Sequence, residues 1–138
     1  MRLDYVKSAS IGHTLGQFRA IEVEMEYLPD CSKNEYKLRN GAIKRQVREW
    51  MECLTFMVRS LKNSQGVEFT VPLTVRIDGM FLDRNRMPDL HNFMIVTCDA
   101  IEEALGINDR DYKTETGYPE VGDEAKIIIT IRSEVKDD

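Results

Sequence analysis

The segment DRNRMPDLHNF (residues 83–93) is followed, after residues 94–98, by the segment DAIEEALG (residues 99–106). We expect the rest of the chain to be arranged around these two segments. Pro88 ends whatever element precedes it, because a proline disfavours helical geometry in the residue before it. Apolar residues recur at helical spacing after this proline, and the glycine of the second segment is a typical helix terminator. The pattern therefore predicts a helix over residues 89–105.

Polar and acidic side chains crowd both ends of this predicted helix. Asp89, His91 and Asn92 lie at its start, and Asn108-Asp109 follows its end. Carboxylate, imidazole and amide groups can all bind a divalent metal ion, and the neighbouring arginines suggest chemistry on phosphate. The competing interpretation is structural, because an aspartate after a proline caps a helix and Asn-Asp is common in turns. The residues alone leave both interpretations open.

The first half of the chain predicts one strand, one loop and one long helix. Residues 20–27 alternate between apolar and glutamate side chains, which is typical of a half-buried strand. Residues 28–41 are rich in turn formers. Residues 42–62 place apolar side chains at helical spacing, with Trp50 as a core anchor. Residues 1–19 show no clear periodicity, and a loose N-terminal arm is one interpretation of them.

The second half predicts further strands around the organising helix. Residues 67–82 alternate as extended chain, and Pro72 indicates an edge, a bulge or a late strand start. Residues 109–116 and 125–132 suggest a terminal hairpin with three inward isoleucines. The glutamates of the first strand are expected to face basic residues on neighbouring strands. These basic residues include Arg76, Lys126 and Arg132.

These elements predict a single α+β domain over residues 1–138, with a mixed or antiparallel sheet of about four strands and two main helices. The net charge of −5 argues against an indiscriminate nucleic-acid binder but permits a local basic face. Three cysteines without CxxC spacing suggest structural thiols in a reducing compartment. No apolar run approaches the length of a membrane span. We therefore expect a cytoplasmic protein that does not bind membranes.

The order and spacing of several blocks resemble the RusA family of Holliday junction resolvases. The blocks are the arginine-bearing residues 83–86, the run 88–93, Asp99-Ala-Ile, and the polar-acidic pair after the helix. Residues 28–36 are similar, more weakly, to the family's Pro-Pro-Ser-Asn-Asn segment. The resemblance covers roughly residues 20 to 132.

This resemblance implies a RusA-like homodimer that resolves four-way DNA junctions by paired phosphodiester hydrolysis, in DNA recombination and repair. It implies a divalent-metal-dependent endonuclease with Mg²⁺ as cofactor and Mn²⁺ as the alternative. Catalytic and metal-binding positions of the family fall on Asp89, His91 and Asp109. Supporting positions fall on Asn92, Asp99 and Asn108.

Three residues depart from the family motif. The second motif aspartate is His91, the family's lysine falls on Ile95, and the first of the later aspartates is Asn108. Imidazole binds Mn²⁺ and other transition ions whereas Mg²⁺ prefers oxygen, so the choice of metal stays open. Either another cation replaces the lysine in stabilising developing charge, or activity is weak or absent. Two other functions therefore remain open: a non-catalytic DNA-binding dimer with a decayed site, and an unrelated interaction module that binds protein.

Eight cations form the candidate DNA-binding surface. Cations at the start of a helix oppose its dipole, so those at the start of the helix predicted over residues 42–62 favour a phosphate-binding patch. A solvated helix face is the equally weighted alternative. The eight residues are Lys33, Lys37, Arg39, Lys44, Arg45, Arg48, Arg84 and Arg86.

Helix length separates Asp89 from Asp109. From residue 89 to residue 105 a helix rises about 24 Å. The four extended residues after it return at most about 14 Å. Unless the helix bends, one chain is therefore not expected to bring both aspartates to one ion. In a two-fold dimer, Asp89 would meet Asp109 of the partner subunit, which gives two composite sites.

Overall fold

The computed structural model describes residues 4–14 and 18–133. Within them, two α-helices and six strands form an α+β fold, which confirms the predicted class. The helices are α1 (Arg45–Gln65) and α2 (Met94–Leu105). The strands are β1 (Val6–Thr14), β2 (Phe18–Glu26), β3 (Leu73–Phe81), β4 (Tyr112–Thr116), β5 (Glu120–Val121) and β6 (Lys126–Ser133). They build one mixed sheet in the order β1-β2-β6-β3-β4, with β5 paired to β3.

The centre of the sheet is occupied by the isoleucine-rich strand β6. It pairs antiparallel with both β2 and β3, and Ile127, Ile129 and Ile131 point into the core as predicted. The strand β4 pairs in parallel with the outer side of β3. The terminal hairpin predicted from residues 109–116 and 125–132 is therefore wrong. The apolar strand takes the buried centre of the sheet, whereas the polar sequence of β4 suits an edge.

The strand β1 corrects the interpretation of residues 1–19 as a loose arm. It pairs antiparallel with β2 and places Ile11 opposite Ile21. Serine and glycine weaken its strand signal, so its position depends on pairing with β2 rather than on local preference. Both β1 and the two-residue β5 raise the strand count above the predicted four. Residues 1–3 and 15–17 lie outside the described part of the chain.

Both helices pack on one face of the sheet and share a continuous core with β2, β3 and β6. Trp50 is 1% exposed, and its indole N–H donates a 2.9 Å hydrogen bond to the Glu26 carbonyl oxygen. Cys31, Cys53 and Cys98 are buried free thiols, in agreement with a structural role. Within the described residues, no helix has the length and apolar character needed to cross a membrane.

Ion pairs cover the opposite face of the sheet. Lys126 lies 3.0 Å from Glu24, which confirms the predicted pairing for this lysine. Its hydrogen bond lowers the pKa of Glu24 below its ordinary value. Arg76 and Arg132 instead contact Glu115 of β4, at 3.1 and 2.9 Å. The positive charges of Arg76, Lys126 and Arg132 on this face are therefore compensated by carboxylates.

Gly117 follows β4 and closely approaches the ion pair between Arg76 and Asp78. Its amide donates a 2.9 Å hydrogen bond to the Ile77 carbonyl oxygen. A Cβ atom here would overlap Asp78 Oδ1 and lie 2.8 Å from Arg76 Nη2. We therefore expect Gly117→Ala to lower the free energy of unfolding by about 1–3 kcal/mol. Urea denaturation measures this change.

Gly12→Ala is the matched control for this prediction. The nearest atom to a Cβ at Gly12 is the Ala20 carbonyl oxygen, 3.9 Å away, so the methyl group has room. Its effect should stay within about 0.5 kcal/mol. Equal destabilisation by the two substitutions would contradict the importance of the close approach at Gly117.

Candidate metal centre

Three acidic side chains converge near the C-terminal end of α2. One carboxylate oxygen each from Asp99, Glu102 and Asp109 lies within 4.8 Å of the other two. Asp99 and Glu102 are three residues apart on α2, so they project from the same side of the helix. Among the side chains that the structure describes, those of residues 4–12 and 20–133, this carboxylate cluster is the only such group of three or more His, Cys, Asp or Glu residues.

The chain reversal after α2 brings Asp109 back to the helix. Gly106 ends α2 with a φ of +70°, which favours glycine, and its amide donates a 2.8 Å hydrogen bond to the Glu102 carbonyl oxygen. Asn108 then caps a 3₁₀ turn, because its Oδ1 accepts a 3.0 Å hydrogen bond from the Arg110 amide. Asp109 is the first residue of that turn. Asn108 thus caps the turn that begins at Asp109, and its supporting role in a metal site stays a prediction.

Tyr112 also stabilises the chain reversal after α2. Its hydroxyl donates a 2.7 Å hydrogen bond to the Ile107 carbonyl oxygen. Burial raises the pKa of Tyr112, and the nearby Cys98, Glu102 and Asp109 raise it further. The hydroxyl thus keeps its proton at neutral pH and remains a hydrogen-bond donor. Sequence analysis did not single out this residue, because its partner is a backbone carbonyl.

Charge repulsion within the cluster acts most clearly on Asp99. Partial burial of its carboxyl group raises the pKa of Asp99, and the charges of Asp109 and Glu102 raise it further, although the residue is exposed. The charge of Lys37 lowers this pKa, but less than burial and the two carboxylates raise it. A cation bound between the carboxylates would relieve the repulsion.

The oxygen separations in the cluster fit a divalent ion. Mg²⁺ binds oxygens at about 2.0–2.1 Å, so opposite ligands lie about 4.2 Å apart, and the larger Ca²⁺ allows about 5 Å. The observed limit of 4.8 Å falls between these values. All three donors are carboxylate oxygens, which suits Mg²⁺, Ca²⁺ or Mn²⁺ better than softer ions. The cluster could therefore hold the kind of ion expected from the sequence.

The predicted ligands Asp89 and His91 lie elsewhere, beside a 3₁₀ turn (Leu90–Phe93) that precedes α2. Asp89 Oδ1 accepts a 3.0 Å hydrogen bond from the His91 amide, so the aspartate has the capping role of the structural interpretation. Both side chains are exposed. In the described part of one chain, Asp89, His91 and Asp109 form no three-ligand group. Their assembly across a dimer stays a prediction.

Asn92 and Glu102 are the remaining site residues. The Asn92 carbonyl oxygen accepts a 2.8 Å hydrogen bond from the Lys33 amide. This bond connects residues 28–41, which we call the basic loop because they contain Lys33, Lys37 and Arg39, to the turn that precedes α2. Glu102 is the cluster member that sequence analysis missed. Its signal is the three-residue spacing from Asp99, which by itself is common on solvent-exposed helices.

The eight predicted DNA-binding cations divide into two groups. Three of them form ion pairs with nearby carboxylates: Lys44 with Asp30, Arg45 with Glu49, and Arg86 with Asp83. The others are exposed and form no ion pair with any residue that the structure describes. These unpaired cations are Lys33, Lys37, Arg39, Arg48 and Arg84. Lys33, Lys37 and Arg39 lie in the loop of residues 28–41, and Arg48 lies in the first turn of α1.

Neither a scan against protein-family models nor a search of curated proteins finds a match to this chain.

Proposed function

We propose that this protein is a divalent-metal-dependent endonuclease that resolves four-way DNA junctions as a RusA-like homodimer. The carboxylate cluster of Asp99, Glu102 and Asp109 is the observation that carries the proposal. Asp99, Glu102 and Asp109 would hold the ion, which when bound activates water and stabilises charge on the scissile phosphate. The choice of a four-way junction comes from the resemblance of residues 83–109 to the resolvases.

Lys37 takes the role of the missing motif lysine in this proposal. Ile95 stands at the lysine position and is 44% exposed, so it offers no charge to a phosphate. Lys37 lies in the loop before α1 and its charge lowers the pKa of Asp99. In this proposal its ammonium group would contact a phosphate oxygen held beside the cluster. Arg39 and Arg84 extend the positive charge outward and would hold the DNA backbone without reading bases.

A homodimer is part of this proposal because a four-way junction needs two matched cuts. In a two-fold dimer each copy would carry one carboxylate cluster. Asp89 and His91 of the partner subunit would then be additional ligands, as the sequence predicts. A cluster that already has three donors within one chain can bind an ion without them.

A second candidate is a non-catalytic, junction-binding dimer. The exposed Ile95 favours it, because the position expected to carry a catalytic lysine is apolar. The unpaired cations of the basic loop would support phosphate binding equally well without hydrolysis. The two candidates differ in their need for metal.

Cleavage of a synthetic four-way junction with Mg²⁺, with Mn²⁺ and with EDTA tests the proposal. We expect paired symmetric nicks with at least one of the two ions and none in EDTA, because the carboxylates need an ion to act on phosphate. A linear duplex of the same sequence is the control and should remain intact. Tight junction binding without nicks under any ion would favour the non-catalytic dimer. Absence of both binding and nicking at low salt would exclude both candidates and favour a protein-interaction role.

A further inference from the structure

An open groove of about 460 Å³ lies between α1 and α2. Arg48, Glu52 and Arg59 line it from α1, and Asp99 and Glu103 line it from α2. All five side chains are exposed, whereas the opposite sides of both helices are buried against the sheet. The groove therefore opens on the outer side of the helix layer.

Contacts between the helices hold the floor of this groove in place. Thr55 Oγ1 donates a 2.9 Å hydrogen bond to the Ala100 carbonyl oxygen. One turn further along α1, Arg59 Nη2 donates a 2.8 Å hydrogen bond to the Glu103 carbonyl oxygen. Because both bonds cross from one helix to the other, the groove is a fixed feature of the helix pair.

Two ridges of side chains, each at four-residue spacing on one helix, border the groove. Each ridge contains one exposed apolar side chain: Phe56 is 40% exposed and Ile95 is 44% exposed. Ridges of one helix fit into the grooves of another, so this surface has a shape that accepts a further pair of helices. The ridges consist of Arg48, Glu52 and Phe56 on α1, and of Ile95, Asp99 and Glu103 on α2.

The two walls of the groove carry charges of opposite sign. Arg48, Glu52 and Arg59 give the α1 wall a formal charge of +1, whereas Asp99 and Glu103 give the α2 wall a formal charge of −2. Such a surface is complementary to a second copy of itself when α1 of one copy faces α2 of the other.

We propose that this helix surface is the homodimer interface, with Phe56 of each copy seated in the groove of the partner subunit. The arginines of each α1 wall would face the carboxylates of the partner's α2 wall. Burial of Phe56 and Ile95 would remove apolar surface from water. The dimer would then have two helix layers packed between two sheets, which is a common way to cover a helical face. This inference rests on the homodimer of the proposed function and identifies the surface that forms it.

The carboxylate cluster lies at the edge of the proposed interface. Asp99 belongs both to the groove and to the cluster, whereas Glu102 and the exposed Asp109 do not line the groove. Asp109 would therefore stay accessible in the dimer. An ion at Asp99 would change the charge of the α2 wall, so the oligomeric state is best measured in EDTA.

Sedimentation velocity over a series of protein concentrations tests the interface without DNA or metal. Phe56→Glu should raise the dissociation constant of the dimer at least about ten-fold, because it replaces a central apolar contact with a charge that has no partner. Tyr118→Glu is the matched control. Tyr118 is 93% exposed and does not line the groove, so this variant should change the dissociation constant by less than about two-fold.

Arg59→Glu and Glu103→Arg test the charge complementarity of the walls. Each variant alone brings like charges onto facing walls, so each homodimer should be weakened about ten-fold or more. A mixture of the two variants should recover dimer formation, because one pair of facing walls has exchanged its charges and the other pair is unchanged. Arg45→Glu is the control, since Arg45 lies outside the groove, its side chain is 93% exposed, and its variant should still dimerise.

A protein that stays monomeric at the highest concentration would overturn this inference and would remove the homodimer from the proposed function. A dimer that is unchanged by Phe56→Glu, or two weakened charge variants that do not recover a dimer on mixing, would overturn only this interface and would leave the homodimer to another surface. A dimer that shows the expected effects but never nicks a junction would support the interface while contradicting the proposed nuclease.

Discussion

Asp109→Asn is expected to lower the metal-dependent junction cleavage that we propose by at least about 10²-fold, as when a charged group that stabilises the transition state is lost. The amide keeps the size of the carboxyl group and one oxygen but removes the charge, so an ion bound to the cluster would lose one of its three negatively charged ligands. Asp99→Asn and Glu102→Gln should have effects of the same order. The measurement is the single-turnover nicking rate at saturating enzyme, with calorimetric titration of Mn²⁺ as the binding readout.

Asp111→Asn is the matched control for this substitution. Asp111 lies in the same 3₁₀ turn as Asp109 and is exposed, but it is not a member of the cluster. Its nicking rate should stay within about two-fold of the original protein, as for most surface changes away from a site. An equal loss of nicking rate in both variants would show that the rate depends on the total negative charge of the turn and not on the carboxylate cluster.

Asp89→Asn separates the site seen in one chain from the composite dimer site. If the carboxylate cluster alone holds the ion, this substitution affects only the cap of the turn before α2, and the nicking rate falls little. A loss as large as that of Asp109→Asn would contradict a site within one chain. It would favour the two-fold arrangement predicted from the length of the helix.

Trp50→Ala is expected to lower the free energy of unfolding by about 3–5 kcal/mol, the usual range for large aromatic residues in a core. Trp50 is 1% exposed and is among the largest fully buried side chains. Its removal leaves a cavity under α1 and an unpaired Glu26 carbonyl oxygen. Domains of this kind have about 5–15 kcal/mol of total stability, so the variant should be marginally folded. Guanidinium denaturation followed by circular dichroism measures the change.

Trp50→Phe divides this loss into its two causes. The phenyl ring retains most of the apolar contact but cannot donate to the Glu26 carbonyl oxygen. A smaller loss of about 0.5–1.5 kcal/mol is therefore expected, close to the net contribution of one hydrogen bond, because this bond is only partly buried. A loss below about 1 kcal/mol for Trp50→Ala would contradict the role of Trp50 as the anchor between α1 and the sheet.

The two helices and the inward faces of the main strands were predictable from local pattern. Trp50 and the three isoleucines of β6 are buried as expected, and β3 begins directly after Pro72. These features depend on residues that are near one another in the chain. Periodicity records which side of a helix or strand faces the core, and it does so before any partner is known.

Strand pairing was not predictable in the same way. The polar sequence of β4 and the isoleucine-rich β6 adjoin in the chain, but β6 pairs with β2 and β3, while β4 lies at the edge. The alternation of apolar residues indicates which face of a strand is turned to the core, but it does not indicate which other strand pairs with it. The sheet is mixed because β4 and β5 pair in parallel with β3, whereas the apolar β6 is held in the middle by two antiparallel partners.

The candidate site shows the same division. The sequence identified Asp99 and Asp109 as site residues and α2 as the element between the predicted ligands, because motif order is visible in the chain. Only the folded chain brings the carboxylates of Asp99, Glu102 and Asp109 together. The distance between carboxylate oxygens depends on where Gly106 and the capped turn after it reverse the backbone. That reversal is a property of three-dimensional geometry, which residue spacing alone does not specify.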